Sequence, residues 1–345
     1  MRSSRLRPLA AVVLASFLLV TACGDGGSDS DSDTSDQGAG DAAPNTDPFT
    51  LRVGFIGTKP EWGGPEGYAN SQGQLVEALK PLGVTEIESF QFGNGADLNN
   101  ALAGGDLDVG LYGDTPAING RAAGQETRAI NQARVDLEAF LFTPKDGATS
   151  LGDLKGGTIG VPQGSYMHRF VLGLLEEEGL ADSVTVTNLL IPDAAAALEG
   201  GDIDAFAAPW TQVPLLEAAG YPVLTQTFPD YPDLAGSSVT VFTESLLDER
   251  PGLAEAWNDA RADSLEAIAA DPEPYYDFQQ PILGVDREFV PELENELENY
   301  PAEPFTDHGL DLLEGTKSFL VDIGAAKSDF EIADWQYVGD ASQAN

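Results

Sequence analysis

The sequence predicts an α/β protein of two similar lobes, each built on a largely parallel sheet, and three observations carry that prediction. From residue 49 onward, short apolar runs alternate with helical stretches, the pattern of strand-helix-strand units. The alternation breaks after residue 112 and resumes at 158. An internal echo joins the two stretches: residues 97–108 read DLNNALAGGDLD and residues 193–204 read DAAAALEGGDID, with seven of twelve positions identical.

In the first stretch the pattern gives a strand at 51–57, a helix at 68–82, a strand at 84–91, a short helix at 97–103 and a strand at 107–112. In the second it gives a strand at 158–161, a helix at 165–178, a strand at 184–189, a helix at 193–199, a strand at 203–207 and a helix at 210–219. Asp97 and Asp193 are expected to cap their helices, and each following Gly pair to end the helix in left-handed conformation. Asp106 and Asp202 then belong to a helix stop rather than to chemistry. Each unit ends its strand at a loop of the kind where ligands of open α/β sheets bind.

The chain has 345 residues, 17 of them Lys or Arg and 57 Asp or Glu, for a formal charge of -40. A surface this acidic repels a phosphate backbone, which excludes nucleic acid as a partner. With 42% apolar residues the chain still buries a large core. Arg2, Arg5 and Arg7 precede an apolar run at 9–20 that ends in small residues, a secretory signal too short to span a bilayer at ~20 residues. The run closes on Leu19-Val20-Thr21-Ala22-Cys23, which resembles the lipobox of bacterial lipoproteins; that resemblance implies a signal peptide over 1–22 and a lipidated Cys23. Cys23 is the sole cysteine, so no intrachain disulfide is available. Residues 23–48 hold seven Asp and no basic residue, a self-repelling linker. Asp29, Asp31 and Asp33 alternate as in a calcium loop but lack its sixth-position Gly and twelfth-position Glu. Residues 49–345 retain 14 basic and 50 acidic side chains, so the folded body is itself acidic.

The strand ends hold the informative residues. Gly113-Asp114-Thr115-Pro116 opens a helix, with Asp114 or Thr115 as cap and Pro116 in the first turn. Pro162-Gln163-Gly164-Ser165-Tyr166-Met167-His168 places Ser165 at a helix start whose free amides hold an anion. Pro209-Trp210-Thr211 and the loop Thr58-Lys59-Pro60-Glu61-Trp62 complete the set. Each residue also has a structural reading: Ser165 as a cap alone, Trp62 and Trp210 as packed aromatics, Asp114 as a hinge partner, Lys59 as a solvated charge and His168 as a surface side chain.

The stretches at 102–124 (LAGGDLDVGLYGDTPAINGRAAG), 150–180 (SLGDLKGGTIGVPQGSYMHRFVLGLLEEEGL) and 193–210 (DAAAALEGGDIDAFAAPW) resemble the solute-binding proteins of ABC importers, in their nitrate, aliphatic sulfonate and taurine branch. The resemblance covers most of residues 49–340. It implies a two-lobed periplasmic-binding-protein-like fold of type II, with two crossover strands expected at 138–143 and 238–243. The first lobe is expected at 49–142, the second at 143–238, and residues 239–345 return to the first lobe as helices. It further implies a lipid-anchored extracytoplasmic receptor, a monomer that closes on a small solute and then docks on a permease with its ATPase. Lys59, Trp62, Asp114 and Thr115 are the expected ligand-binding residues of one lobe, and Gln163, Ser165, His168 and Trp210 those of the other.

Lys59 and His168 are the only cations in these loops, against Glu61, Glu66 and Asp114. That balance favours a zwitterion such as an amino sulfonate over a bare anion, or a heteroaromatic such as a thiamine-type pyrimidine stacked on Trp62 or Trp210. An enzyme of the same fold is the alternative from another class, and a surface lipoprotein acting as an interaction module a third. The sequence lacks Gly-x-Ser-x-Gly, HExxH, a phosphate loop and a dinucleotide fingerprint, and its two histidines lie far apart, so no catalytic residue, metal site or cofactor is expected.

Overall fold

The computed structural model describes residues 45–294 and 297–339. The signal peptide, Cys23 and nearly all of the acidic linker lie outside the described residues. Ten strands form two five-stranded sheets. The first sheet contains β1 (Phe49–Ile56), β2 (Val84–Phe92), β3 (Val109–Gly113), β4 (Thr127–Leu137) and, from late in the chain, β10 (Gly236–Thr243). The second contains β5 (Ala139–Phe142), β6 (Thr158–Val161), β7 (Thr185–Asn188), β8 (Ala205–Pro209) and β9 (Val223–Gln226).

Their orders, β2-β1-β3-β10-β4 and β7-β6-β8-β5-β9, are the same plan written twice. In each, three parallel strands come from successive strand-helix units, and two further strands run antiparallel to their neighbours. The sheets are therefore mixed rather than largely parallel. The echo of 97–108 and 193–204 falls at matching places, leading into β3 and β8. The chain leaves the first sheet at Glu138, between β4 and β5, and returns through residues 227–235 into β10.

The echo's caps differ from expectation. Asn94, not Asp97, caps the helix Gly95–Ala103: its Oδ1 accepts from the Asp97 N–H at 3.0 Å, while its Nδ2 donates to the Asp97 carboxylate at 2.8 Å. The helix thus begins two residues earlier than its apolar spacing suggests. Asp193 precedes Ala194–Gly200 but makes no side-chain cap, because a 3-10 turn at Ile191–Asp193 runs straight into the helix. The left-handed stops hold at Gly105 and Gly201, with φ of 75° and 72°. The expected helix at 68–82 is broken at Gly73, φ 74°, into Gly64–Ser71 and Gln74–Leu79 with a 3-10 turn after it.

The C-terminal helices pack on both faces of the first sheet, as the fold class requires. On one face Leu253, Ala254 and Trp257 join Leu51, Val53 and Phe55 in one core, and on the other Leu313, Leu320 and Trp335 join Leu98, Tyr112 and Val239. The second sheet has its own cores, around Phe170 and Leu174 on one side and Phe142 and Phe206 on the other. Two buried arginines fasten segments that no ladder holds. Arg261 pairs with Glu66 at 3.1 Å and donates to the carbonyls of Ala133 and Pro301, and Arg169 donates to those of Leu234 and Ala235 in the return segment. Buried guanidinium groups persist only with partners of this kind. Among the described residues no helix is long and apolar enough to cross a membrane.

Candidate functional site

The loops at the C-terminal ends of the strands of the two sheets face one another and enclose two adjoining hollows. Ile56, Gly113 and Leu137 line both and form the wall between them.

The larger hollow, about 430 Å³, takes Thr58, Gln91 and Asn94 from the first lobe and Gln163, Ser165 and Met167 from the second. Two helix starts meet there, Gly95–Ala103 behind Asn94 and Tyr166–Glu177 behind Ser165. The first amides of a helix have no partner within it and carry its positive pole, so such a place favours an anion. The Ser165 Oγ accepts from the His168 N–H at 3.2 Å and donates to the Pro162 carbonyl at 2.6 Å. Among the described residues no charged side chain lines this hollow.

The smaller hollow, about 280 Å³, has apolar walls from Phe55, Leu111 and Ile282, and Trp210 closes it from the second lobe. Its polar side is built on Arg134 of β4. The guanidinium lies 4.1 Å from the Trp210 ring centroid and 4.9 Å from that of Tyr300, within cation–π range of both. Its Nη1 donates to the Tyr300 hydroxyl at 3.1 Å, and among the described residues its buried Nε has no hydrogen-bond partner. The hydroxyls of Tyr300 and Tyr275 donate to Glu294 Oε2 at 3.0 and 2.9 Å, and Gln279 donates to Glu294 Oε1 at 3.2 Å. Burial works against the Arg134 charge, but the Tyr300 and Tyr275 phenols and the Glu294 carboxylate outweigh it and hold its pKa above the ordinary value. Burial likewise pushes the Glu294 carboxyl up, against the pull of Arg134 and its three hydrogen bonds.

The eight expected ligand residues separate into groups. Gln163 and Ser165 line the larger hollow, and Trp62 and Trp210 the smaller. Trp62 is mostly a core residue: it stacks on Trp257 at 6.0 Å and its Nε1 donates to Ser89. Trp210 donates its Nε1–H to the Leu293 carbonyl at 3.3 Å. Asp114 and Thr115 are fully buried behind Gly113 and line neither hollow. The Asp114 carboxylate accepts from Thr115, Ser237 and Thr316, which occupies its oxygens. His168 sits behind Ser165, where its Nδ1 accepts from the Gly164 N–H at 3.3 Å; burial lowers its pKa and favours the neutral ring. Lys59 is exposed and lines neither hollow. Among the described residues the cation of the cleft is thus Arg134, which the reading of the loops missed together with Tyr300, Gln279 and Glu294. Among the described residues no three His, Cys, Asp or Glu side chains stand close enough to hold a metal ion.

Two lobes of one plan, joined by two crossings and enclosing a cleft at their strand ends, define the periplasmic-binding-protein fold. The chain belongs to the NMT1/THI5-like family, whose pattern matches residues 86–274. It is 29% identical over 168 residues to a protein of Escherichia coli (strain K12) named for aliphatic sulfonate binding, covering 48% of this chain and 50% of that one. It is 28% identical over 211 residues to the taurine-binding periplasmic protein of the same organism, covering 56% of this chain and 61% of that one. The chain thus spans about half the length of the first relative and less than two thirds of the second. Among solved structures, the alkanesulfonate-binding protein SsuA of Xanthomonas axonopodis pv. citri superposes with a TM-score of 0.70 at 19% identity, over 85% of this chain and 99% of that one. The desulfurization enzyme DSZB superposes with a TM-score of 0.63 at 19% identity, over 84% and 96%. The fold therefore serves binding and catalysis alike, and the residues of the cleft have to decide between them.

Proposed function

We propose that the chain is the solute receptor of an ABC importer, closing its lobes on a small organic anion of the sulfonate class and delivering it to a permease. One observation carries this reading: the larger hollow draws its walls from both lobes and receives a capped helix start from each. A solute there touches both lobes at once and so favours the closed form over the open one. The relatives named for aliphatic sulfonates and taurine support the same class. Size selects within it. At ~30 Å³ per water, a hollow of about 430 Å³ would leave a nitrate ion mostly surrounded by solvent, whereas an organic sulfonate occupies more of it and brings carbon against its apolar walls.

We place the receptor outside the cell, held to the membrane by lipid on Cys23 after cleavage of residues 1–22, with the acidic linker as tether. The basic start, apolar run and lipobox-like close support this. Replacing Cys23 by Ser is expected to release the protein from the membrane; continued lipid labelling of that variant would refute the anchor.

A thermal-shift screen with alkanesulfonates, taurine, nitrate and pyrimidines tests the receptor reading. A ligand at a hundred times its Kd stabilises the fold by ~2.7 kcal/mol. Stabilisation by sulfonates is expected; a response to pyrimidines alone would move the solute class, and silence throughout would sink the reading.

A further inference from the structure

The smaller hollow has features that a simple alkanesulfonate at the helix starts would not use. Its Arg134 is 5% exposed, yet the buried Nε–H of this permanent cation has no hydrogen-bond partner among the described residues. Leaving a buried donor unsatisfied is costly, and more so on a charged group. The guanidinium lies against the Trp210 and Tyr300 rings, and its N–H edge is what serves hydrogen bonding. One position on that edge already serves Tyr300. The neighbouring acid is in the opposite condition: Glu294 receives Tyr275, Tyr300 and Gln279 and has little left to offer a cation. Glu66, the other acid of the lining, is paired with Arg261. The hollow thus offers one charged open donor, Arg134 Nε, with one neutral open acceptor, Gln279 Oε1, and the group that fits the cation is an oxyanion.

We propose that the Arg134 hollow is a second recognition site, which takes an oxyanion carried at the far end of the same solute. This rests on the reading of the larger hollow as the seat of the sulfonate head. The two hollows adjoin at Ile56, Gly113 and Leu137, which line both, so the chain of such a solute would run past these three residues. The apolar side chains along the way, Leu111 and Leu137 among them, suit methylenes rather than further polar groups. The ligand class is then a short alkanesulfonate with a terminal carboxylate or second sulfonate. Charge-assisted pairing at the guanidinium edge supplies its selectivity over a monoanion. Trp210 comes from the second lobe, so it roofs this anion only when the lobes are closed, which couples recognition at the far end to closure.

The test is calorimetric titration of the full chain with pairs of probes of equal carbon number, an alkanesulfonate and its ω-carboxylated counterpart, with two to four methylenes. The carboxylated probe is expected to bind about tenfold or more tightly than its partner. Arg134→Met is expected to bring that ratio to about one by weakening the carboxylated probe, and Arg134→Lys to keep part of it. Equal affinities in the unaltered protein, or a preference that survives Arg134→Met, overturn the proposal. So does loss of both probes in a variant that still melts cooperatively, since Arg134 would then hold the head group. Silence of every probe in the unaltered protein overturns the sulfonate reading and this one with it, a result distinct from equal binding.

Discussion

The Asp114 carboxylate accepts from both the backbone N–H and the hydroxyl of Ser237, at 2.9 and 3.1 Å, and so ties the helix after β3 to the strand by which the chain returns from the second lobe. Both residues are fully buried, and Thr316 of the C-terminal region donates to the same oxygen at 3.1 Å. This carboxylate organises the hinge side of the cleft and has no lone pair to spare for a solute.

Asp114→Ala leaves several buried donors without an acceptor. Hydrogen bonds to a charged group are worth about 1.5–3 kcal/mol each, and stranded donors add their desolvation cost. A loss of about 3 kcal/mol or more is expected in urea unfolding. A loss under about 1 kcal/mol would show that water replaces the carboxylate and that the hinge tie is dispensable.

Ser165 separates capping from anion recognition. Asp is as good an N-cap as Ser but cannot donate to the Pro162 carbonyl as the Ser165 hydroxyl does, so Ser165→Asp is expected to keep the cap and cost about 1 kcal/mol. It also puts a negative charge beside the larger hollow, where like charges cost a bound anion dearly. Sulfonate affinity is expected to fall by about tenfold or more while the protein still melts cooperatively, only a few degrees lower. Retained affinity would place the sulfonate away from this helix start.

Gly236 has no room for a side chain: an added Cβ would stand 2.6 Å from the Tyr166 ring. Tyr166 in turn donates its hydroxyl to the Glu138 carbonyl at 3.2 Å, so one aromatic ring spans both places where the chain changes lobes. Gly236→Ala is expected to cost about 1–3 kcal/mol through overpacking. Adding Tyr166→Ala should recover part of that cost, because the two residues are in contact and their effects do not add. Strict additivity in unfolding midpoints would show that the crowding is relieved elsewhere.

The residues that were legible in the sequence are those whose local chemistry matches their role. Ser165 stands before an apolar period of 3.6 and caps the helix that the period describes. Gly105 and Gly201 end their helices for the reason only glycine permits. The strand β4, TRAINQARVDL, gave no such signal. It buries Asn131, Gln132 and Arg134 on a strand covered from both sides, so neither alternation nor an apolar run marks it. Their partners come from far along the chain: Asn258 for Asn131, the Gly309 carbonyl for Gln132 and Tyr300 for Arg134. A strand hidden by its polar residues thus carried the cation of the cleft. The loops, which looked poor in positive charge, were the wrong place to count. Asp97 was misread for a more local reason, since Asn94 three residues earlier offers the same capping chemistry.

Glu294 supplies a signature of the smaller hollow that stability measurements read directly. Its carboxyl is buried with its pKa raised above the ordinary value, so the folded protein holds this proton more tightly than the unfolded chain does. Its contribution to stability is therefore fully present below the unfolded value of about 4.3. It is lost progressively as the pH rises from there through the folded pKa, and is constant above it. Glu294→Gln keeps a hydrogen-bonding side chain of the same shape and removes the titration. Relative to this variant, the unaltered protein is expected to lose stability between pH 4 and pH 8. Parallel urea midpoints across that range would show instead that Arg134 and the two tyrosines keep Glu294 ionised throughout. In that case its negative charge would stand beside Arg134 at every pH. Removing it by Glu294→Gln should then strengthen binding of the carboxylated probe to a similar degree across the whole range.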